Sequence, residues 1–185
     1  MGKESKEIVQ SRNVLEFITV ANELCIFLEE NDKYDIAFIY TYLQKVLPLL
    51  YLKGTMLPDI FVDDEDANER FVTLEQWEKI YLALLGKTAT TDSFYFIGDD
   101  DGSDNKPQKG SIAENLADIY QDLKDFILLY QKNMLAAQQN AVHACRVLFE
   151  TNWGIKALLT HTAIHNMLYG KKKSEKEFFL GFSPN

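Results

Sequence analysis

The chain has 185 residues, 46% of them hydrophobic and 25% charged, with twelve Phe, nine Tyr and two Trp, a composition that excludes a disordered chain and suits a single domain, 1–185, with a substantial core. Its formal net charge is −9 at pH 7; because nucleic-acid affinity rests on Lys and Arg displacing counterions from phosphates, this balance excludes broad nucleic-acid binding and favours a basic protein as partner. The opening MGKESKEIVQ lacks the apolar core of a signal peptide, and no later apolar run reaches membrane-spanning length without polar interruption, so a cytoplasmic protein without membrane contact is expected.

Residues 1–7 show no pattern and are expected as a tail. In NVLEFITVANELCIFLEEN, Val14, Phe17, Ala21, Leu24 and Leu28 recur at three- and four-residue steps, which places them on the buried face of a helix. Cys25 falls among them, and Cys145 has similar neighbours; two lone, distant cysteines make no disulfide framework and read as reduced core thiols. A second helix runs through Ile36, Ile39, Leu43, Leu47 and Leu50, with Asp32 and Asp35 as candidate caps. Pro48 is expected to bend it or end its first part, since proline lacks the amide hydrogen and clashes with the preceding turn.

Residues 57–70, LPDIFVDDEDANER, lack periodicity and read as the first of two acidic loops, with room for a turn of helix. Thr73 and Gln76 have the spacing of a capping box; Leu74, Trp77, Tyr81 and Leu84 follow on one face, and Gly86 is the predicted stop. The second acidic loop lies within FYFIGDDDGSDNKPQKG, residues 94–110. A calcium EF-hand needs oxygen ligands at positions 1, 3 and 5, glycine at 6 and glutamate at 12. Setting Gly102 at the sixth position puts Asp99 and Asp101 correctly but Ile97 at the first and Gln108 at the twelfth, so a mobile loop without tight calcium is expected. The FYFI run before it looks strand-like or loop-packing, not helical.

Ser111 and Glu114 make a second capping-box pattern. Ile112, Leu116, Ile119, Leu123, Phe126 and Tyr130 then alternate by four and three residues, the spacing of a bundle seam. The seam loses phase after Tyr130, and the next stripe runs through Val142, Cys145 and Phe149. One helix from 112 to 169 would span about 87 Å, too long for a compact domain, so a reversal is predicted between 133 and 140. Gly154 marks a kink and Gly170 an end. Beyond it, KKKSEKEFFLGFSPN sets a basic cluster before Phe178, Phe179, Leu180 and Phe182; residues 171–185 read as a tail, frayed or docked onto the bundle.

The stretches VLEFITVANELCIFLEE, LADIYQDLKDF and FETNWG, in this order, resemble an uncharacterised bacterial family classed as a domain of unknown function. The resemblance covers nearly the whole chain. It implies a largely helical fold with no established activity, and carries over no catalytic residues.

Candidate site residues are few. His161 and His165, four apart, share a helical face and could chelate one metal, although HTAIH lacks the glutamate that serves as base in HExxH proteases. A third ligand would come from Glu23 or Glu150, and Trp153 with Glu150 and the two histidines would form a ligand pocket. His143 and Cys145, two apart, point about 200° away from each other on a helix and make no nucleophile pair. No phosphate loop, GxSxG elbow or paired CxxC is present, and no cofactor is implied.

The expected fold is thus all-α, a bundle of about five or six helices with two acidic loops. The leading functional expectation is a non-enzymatic protein-interaction or regulatory module with Asp63, Asp64 and Asp66 on its partner surface, where they would steer a basic partner; Asp59, Glu65 and Glu69, with Asp92, Asp99, Asp100, Asp101 and Asp104 from the second segment, would add to that field. The alternative is a metal- or small-molecule-binding helical protein, an enzyme included, with its pocket near Trp153, His161 and His165.

Overall fold

The computed structural model describes residues 2–98 and 106–170. Seven α-helices carry these residues: α1 Gly2–Val9, α2 Arg12–Glu29, α3 Ile36–Gly54, α4 Leu74–Thr88, α5 Ile112–Gln131, α6 Leu135–Leu148 and α7 Gly154–Tyr169. A two-stranded antiparallel hairpin, β1 Ser93–Ile97 and β2 Pro107–Ser111, separates α4 from α5. The fold is all-α as expected, with this one small sheet added.

Helix α5 is the centre of the bundle. It packs against α2, α4, α6 and α7, while α3 packs on α2 and α7. Twelve of its twenty residues are buried, so the predicted seam is only one part of its covered surface. The buried apolar side chains form one cluster. At its heart the Phe17 ring lies 5.3 Å from Phe126 and 5.6 Å from Trp153, between centroids. Gly54 of α3 lets the Trp153 indole pass, since a Cβ there would stand 2.5 Å from the ring.

The ends of the elements correct several expectations. Residues 2–7 belong to α1 instead of forming a tail, and Val9 is fully buried. Asp35 alone caps α3, accepting from the Phe38 amide; Asp32 lies in a 3-10 turn, Asn31–Lys33. Helix α3 continues through Pro48 to Gly54. In α4 the capping box of Thr73 and Gln76 forms in full, but the buried residues are Ile80, Leu84 and Thr88, whereas Leu74 is 71% exposed. Gly86 does not stop α4, which ends two residues later with Ala89 at φ 40°.

The second acidic segment is partly ordered sheet. Residues 107–110 form β2 with Ser111 instead of lying in a loop, and the FYFI run takes the strand alternative, within β1. Of the loop 98–110, expected to be mobile and without tight calcium, residues 99–105 lie outside the described residues. Asp92 is no part of a surface field: it is buried, accepts from the Thr88 hydroxyl and the Ala113 amide, and so holds the start of α5. Ser111 accepts from the Glu114 amide at the same end.

The chain reverses between α5 and α6, at 132–134, on the near edge of the predicted window. Asn133 adopts φ 54° there, a left-handed conformation that Asn tolerates better than most residues because its short side chain bonds locally. Immediately before Gly154, where a kink is expected, lies a π-helical turn, Phe149–Trp153, through which α6 runs into α7. A Cβ on Gly154 would meet the Phe149 carbonyl at 2.3 Å. The tail 171–185 lies outside the described residues.

Candidate functional site

The segment 57–73 has no helical face of its own, yet it is tied down along its length. Arg146 Nη1 donates to the Leu57 carbonyl at 3.1 Å, Gln139 Nε2 to Asp63 at 2.8 Å, and Asn140 Nδ2 to the Asp64 carbonyl at 2.6 Å. The Asp64 carboxylate caps a 3-10 turn, Glu65–Ala67, by accepting from the Asp66 amide. These bonds explain why Gln139 and Asn140 are buried polar residues on α6: each finds a partner in the strap.

The far end of the strap is held by α5. Asp118, Asp122 and Asp125 follow at helical spacing on its flank. Asp125 accepts from the amides of Phe71 at 2.7 Å and Val72 at 2.8 Å, and from Arg70 Nε at 3.0 Å. Asp122 accepts from Arg70 Nη2 at 2.9 Å and from Asn152 of the π turn at 2.7 Å. Asp118 accepts from Trp77 Nε1 at 2.8 Å and from Lys156 at 2.5 Å.

Between the strap and the helix pair α5 and α6 opens a cavity of about 340 Å³. Phe126, Leu129, Ala141 and Leu148 supply apolar walls; Arg70, Asp122, Asp125 and His143 supply the polar ones. A neighbouring hollow of about 520 Å³, lined by Ile60, Phe61, Val62 and Glu65, shares Asn68 and His143 with it, so the two form one groove. Phe61 is 74% exposed at its outer end. A separate hollow lies across the bundle beside Tyr120, where the phenol donates to Glu29.

The electrostatics of the inner end follow from burial. Asp122, 4% exposed, has its carboxyl pushed above the usual aspartate range by desolvation, against the opposing pull of Asn152 and Arg70. Burial works against the Arg70 charge, but its bonds to Asp125 and Asp122 prevail and raise its pKa. Cys145 forms part of the wall with a thiol raised well above its ordinary range by burial, which leaves it no nucleophilic thiolate at neutral pH.

The sequence-predicted residues are scattered. His161 and His165 share a face, with ring centroids 6.4 Å apart, and His165 Nδ1 lies 3.2 Å from Gln44 Nε2. Glu150 is exposed and pairs with Arg146 at 3.3 Å. Among the described residues no group of three or more His, Cys, Asp or Glu is placed to hold a metal. Trp153 is a core residue, fully buried, donating to the Cys145 carbonyl; it opens on none of the hollows above. His143 and Cys145 both line the groove, with His143 exposed and Cys145 buried. Asp63, Asp64 and Asp66 stand exposed on the strap.

Sequence reasoning missed Arg70, Asp122, Asp125 and Asn152. One signal was present: three aspartates at helical spacing on a helix whose apolar residues already fill much of its circumference must be partly buried, and buried carboxylates require partners.

Fold and groove together define a helical-bundle protein with a strapped, acid-lined cleft. The chain belongs to the family described as a domain of unknown function, DUF5063, whose model matches residues 8–170. It is similar to the crystal structure of protein BF1032 from Bacteroides fragilis, a structural-genomics target, at 34% identity and a TM-score of 0.80, over 90% of this chain and 98% of that one. No curated protein matches. Among the described residues, no helix is long and apolar enough to cross a membrane.

Proposed function

We propose that the protein is a non-enzymatic, cytoplasmic interaction module whose groove receives a partner segment carrying basic residues beside an apolar one. One observation supports this reading above others: the apolar floor opens beside surplus negative charge. Asp122 and Asp125 share the single guanidinium of Arg70, and Asp63, Asp64, Glu65 and Asp66 follow one another on the strap with no basic side chain before Arg70. Phe61 adds an exposed aromatic face at the same rim. Such a surface attracts a basic partner and raises its association rate, an effect that salt screens over about 8 to 10 Å.

The test begins with a photoreactive benzoylphenylalanine at Phe61, which is expected to crosslink a partner in cells, while the same probe at Tyr95 on the hairpin does not. Changing Asp63, Asp64 and Asp66 together to Asn keeps every acceptor oxygen that the strap uses and removes three charges. The captured partner should then associate several-fold more slowly at low salt, with a flatter salt dependence and unchanged helicity. Equal rates for variant and parent would refute the reading.

A second reading puts a small molecule or a metal in the same scaffold. It is favoured by the inner cavity, whose about 340 Å³ falls within the usual range of about 300 to 1,000 Å³ for ligand pockets. A retained small-molecule mass, or stoichiometric zinc, iron or manganese in purified protein, would move the assignment there.

A further inference from the structure

Helix α3 is apolar all the way round. Its inner side, with Ile39, Leu43, Leu47 and Leu50, is buried against the bundle. On the outer side Phe38, Tyr42, Lys45, Leu49, Leu52 and Met56, the last just past the helix end, alternate by four and three residues, the repeat that keeps one seam facing a second helix. Tyr42 is half-buried, Lys45 is exposed, and the other four are between 40% and 56% exposed. A helix apolar on every side is one that is covered on every side, yet among the described residues nothing covers this outer seam. Its rings are already held in place: Tyr42 stacks on Phe27 at 3.8 Å and Phe38 on Tyr34 at 5.1 Å, between centroids.

Charge and shape decide the occupant. The chain carries −9, but between Asp35 and Asp59 it has no acidic residue and two lysines, Lys45 and Lys53. On the rim of α2, Glu16 pairs with both Arg12 and Lys53, and Glu23 lies beside Tyr42. At the Phe38 end Glu30 holds Lys33, and Lys87 donates to the Tyr34 carbonyl. A basic partner finds no surplus charge here, whereas two copies of an acidic chain meet with least repulsion across such a face. The seam also matches itself in reverse. An antiparallel copy sets Phe38 opposite Met56, Tyr42 opposite Leu52 and Lys45 opposite Leu49, so that rings meet slender aliphatic chains and the lysine stem lies on apolar surface. A parallel copy would set Lys45 against Lys45. The seam is about 27 Å long, and with the rims of α2 and α7 set 8 to 10 Å to either side the face reaches at most about 800 Å² per copy, the size of a standard interface.

We propose that the outer seam of α3 is the interface of a two-fold, antiparallel dimer of this chain. A self-complementary patch repeated on both copies is what two-fold symmetry requires, and the modest area makes the dimer reversible. The surface is independent of the groove, whose walls take no side chain from α3. Lys45 holds the seam below its full strength, since a charge at a seam position sets register at a cost in stability. Because both copies are acidic, salt strengthens this contact by screening their repulsion, the opposite of its effect on a basic partner in the groove.

The experiment is sedimentation equilibrium of the full chain across concentration and salt, joined to crosslinking. A monomer–dimer equilibrium with a Kd on the order of micromolar is expected, tighter at high salt. Leu49→Glu with Leu52→Glu, both at exposed positions, should raise the Kd at least about tenfold with unchanged helicity, and Lys45→Leu should lower it about threefold or more. Photoreactive benzoylphenylalanine at Phe38, in an equal mixture with isotopically heavy chain, should join light to heavy chains at residues around Met56. A chain that stays monomeric up to about 1 mM, a Kd within about twofold of the parent in the Leu49→Glu, Leu52→Glu chain, or a Lys45→Leu chain that dimerises no more tightly would overturn the proposal. So would crosslinks from position 38 to position 38 of the other copy, which would make the pairing parallel, or crosslinks into residues 171–185 of the same chain, which would give the face to the tail.

Discussion

Asp122 and Asp125 sit one turn apart on the same helix and are both nearly inaccessible, yet they do different work. Asp125 holds backbone: two amides and the Arg70 guanidinium converge on it. Asp125→Ala removes the acceptor and leaves two strap amides and half of an ion pair unsatisfied, so a loss of about 3 to 5 kcal/mol is expected, read from denaturant unfolding. Asp122 is the titrating partner. Its folded pKa lies above its ordinary value of 3.8, so the native chain holds more protons than the unfolded one in the window from 3.8 up to the raised value, and this group's contribution to stability falls as pH rises through it. Asp122→Asn removes that slope; the variant's stability relative to the parent should rise with pH above 3.8 and level off beyond the raised value. The two cysteines give a simpler outcome. Burial pushes the Cys25 thiol up to about 12 and the Cys145 thiol well above its ordinary range, so both should resist alkylation in the native protein and react only as fast as it unfolds.

At the scale of elements, the joints of α5, α6 and α7 are where specific residues decide the path. Asn133 at φ 54° predisposes the reversal, and Asn133→Gly should keep stability while Asn133→Ala should cost about 1 kcal/mol, since a left-handed backbone penalises Cβ. Gly154→Ala would press a methyl against the Phe149 carbonyl and Gly54→Ala would press one against the Trp153 ring. Each is expected to lose about 1 to 3 kcal/mol, the usual cost of overpacking, measured as a lowered Tm. These joints were only partly legible. The lost seam after Tyr130 located the reversal within a few residues, because periodicity records which face is buried. Asn133 passed unread, since a single Asn carries no pattern. Pro48 does not end the helix, because tertiary packing on α2 and α7 holds α3 together across one missing hydrogen bond.

Across the whole molecule, the strap 57–73 depends on partners far away in sequence: Gln139, Asn140, Arg146, Asp122 and Asp125. Its exposed residue Phe61 has no such partner among the described residues, so Phe61→Ser should change stability by less than about 0.5 kcal/mol while reducing partner capture, a separation of fold from recognition that unfolding and crosslinking measured together would check. The sequence by itself determined the helices from α2 to α7, the buried faces of α2 and α3, the capping box of α4 and the non-helical character of FYFI, because these follow from local spacing and from the bonding needs of neighbouring backbone groups. It also marked the acidic character of the strap. Only the tertiary structure decided that Asp92 is buried as a cap, that Trp153 belongs to the core, and that Arg70 meets Asp122 and Asp125 over a cavity. Those facts depend on which faces of which helices meet, and a charged side chain on a helix reads the same in sequence whether water or a strap 50 residues away satisfies it.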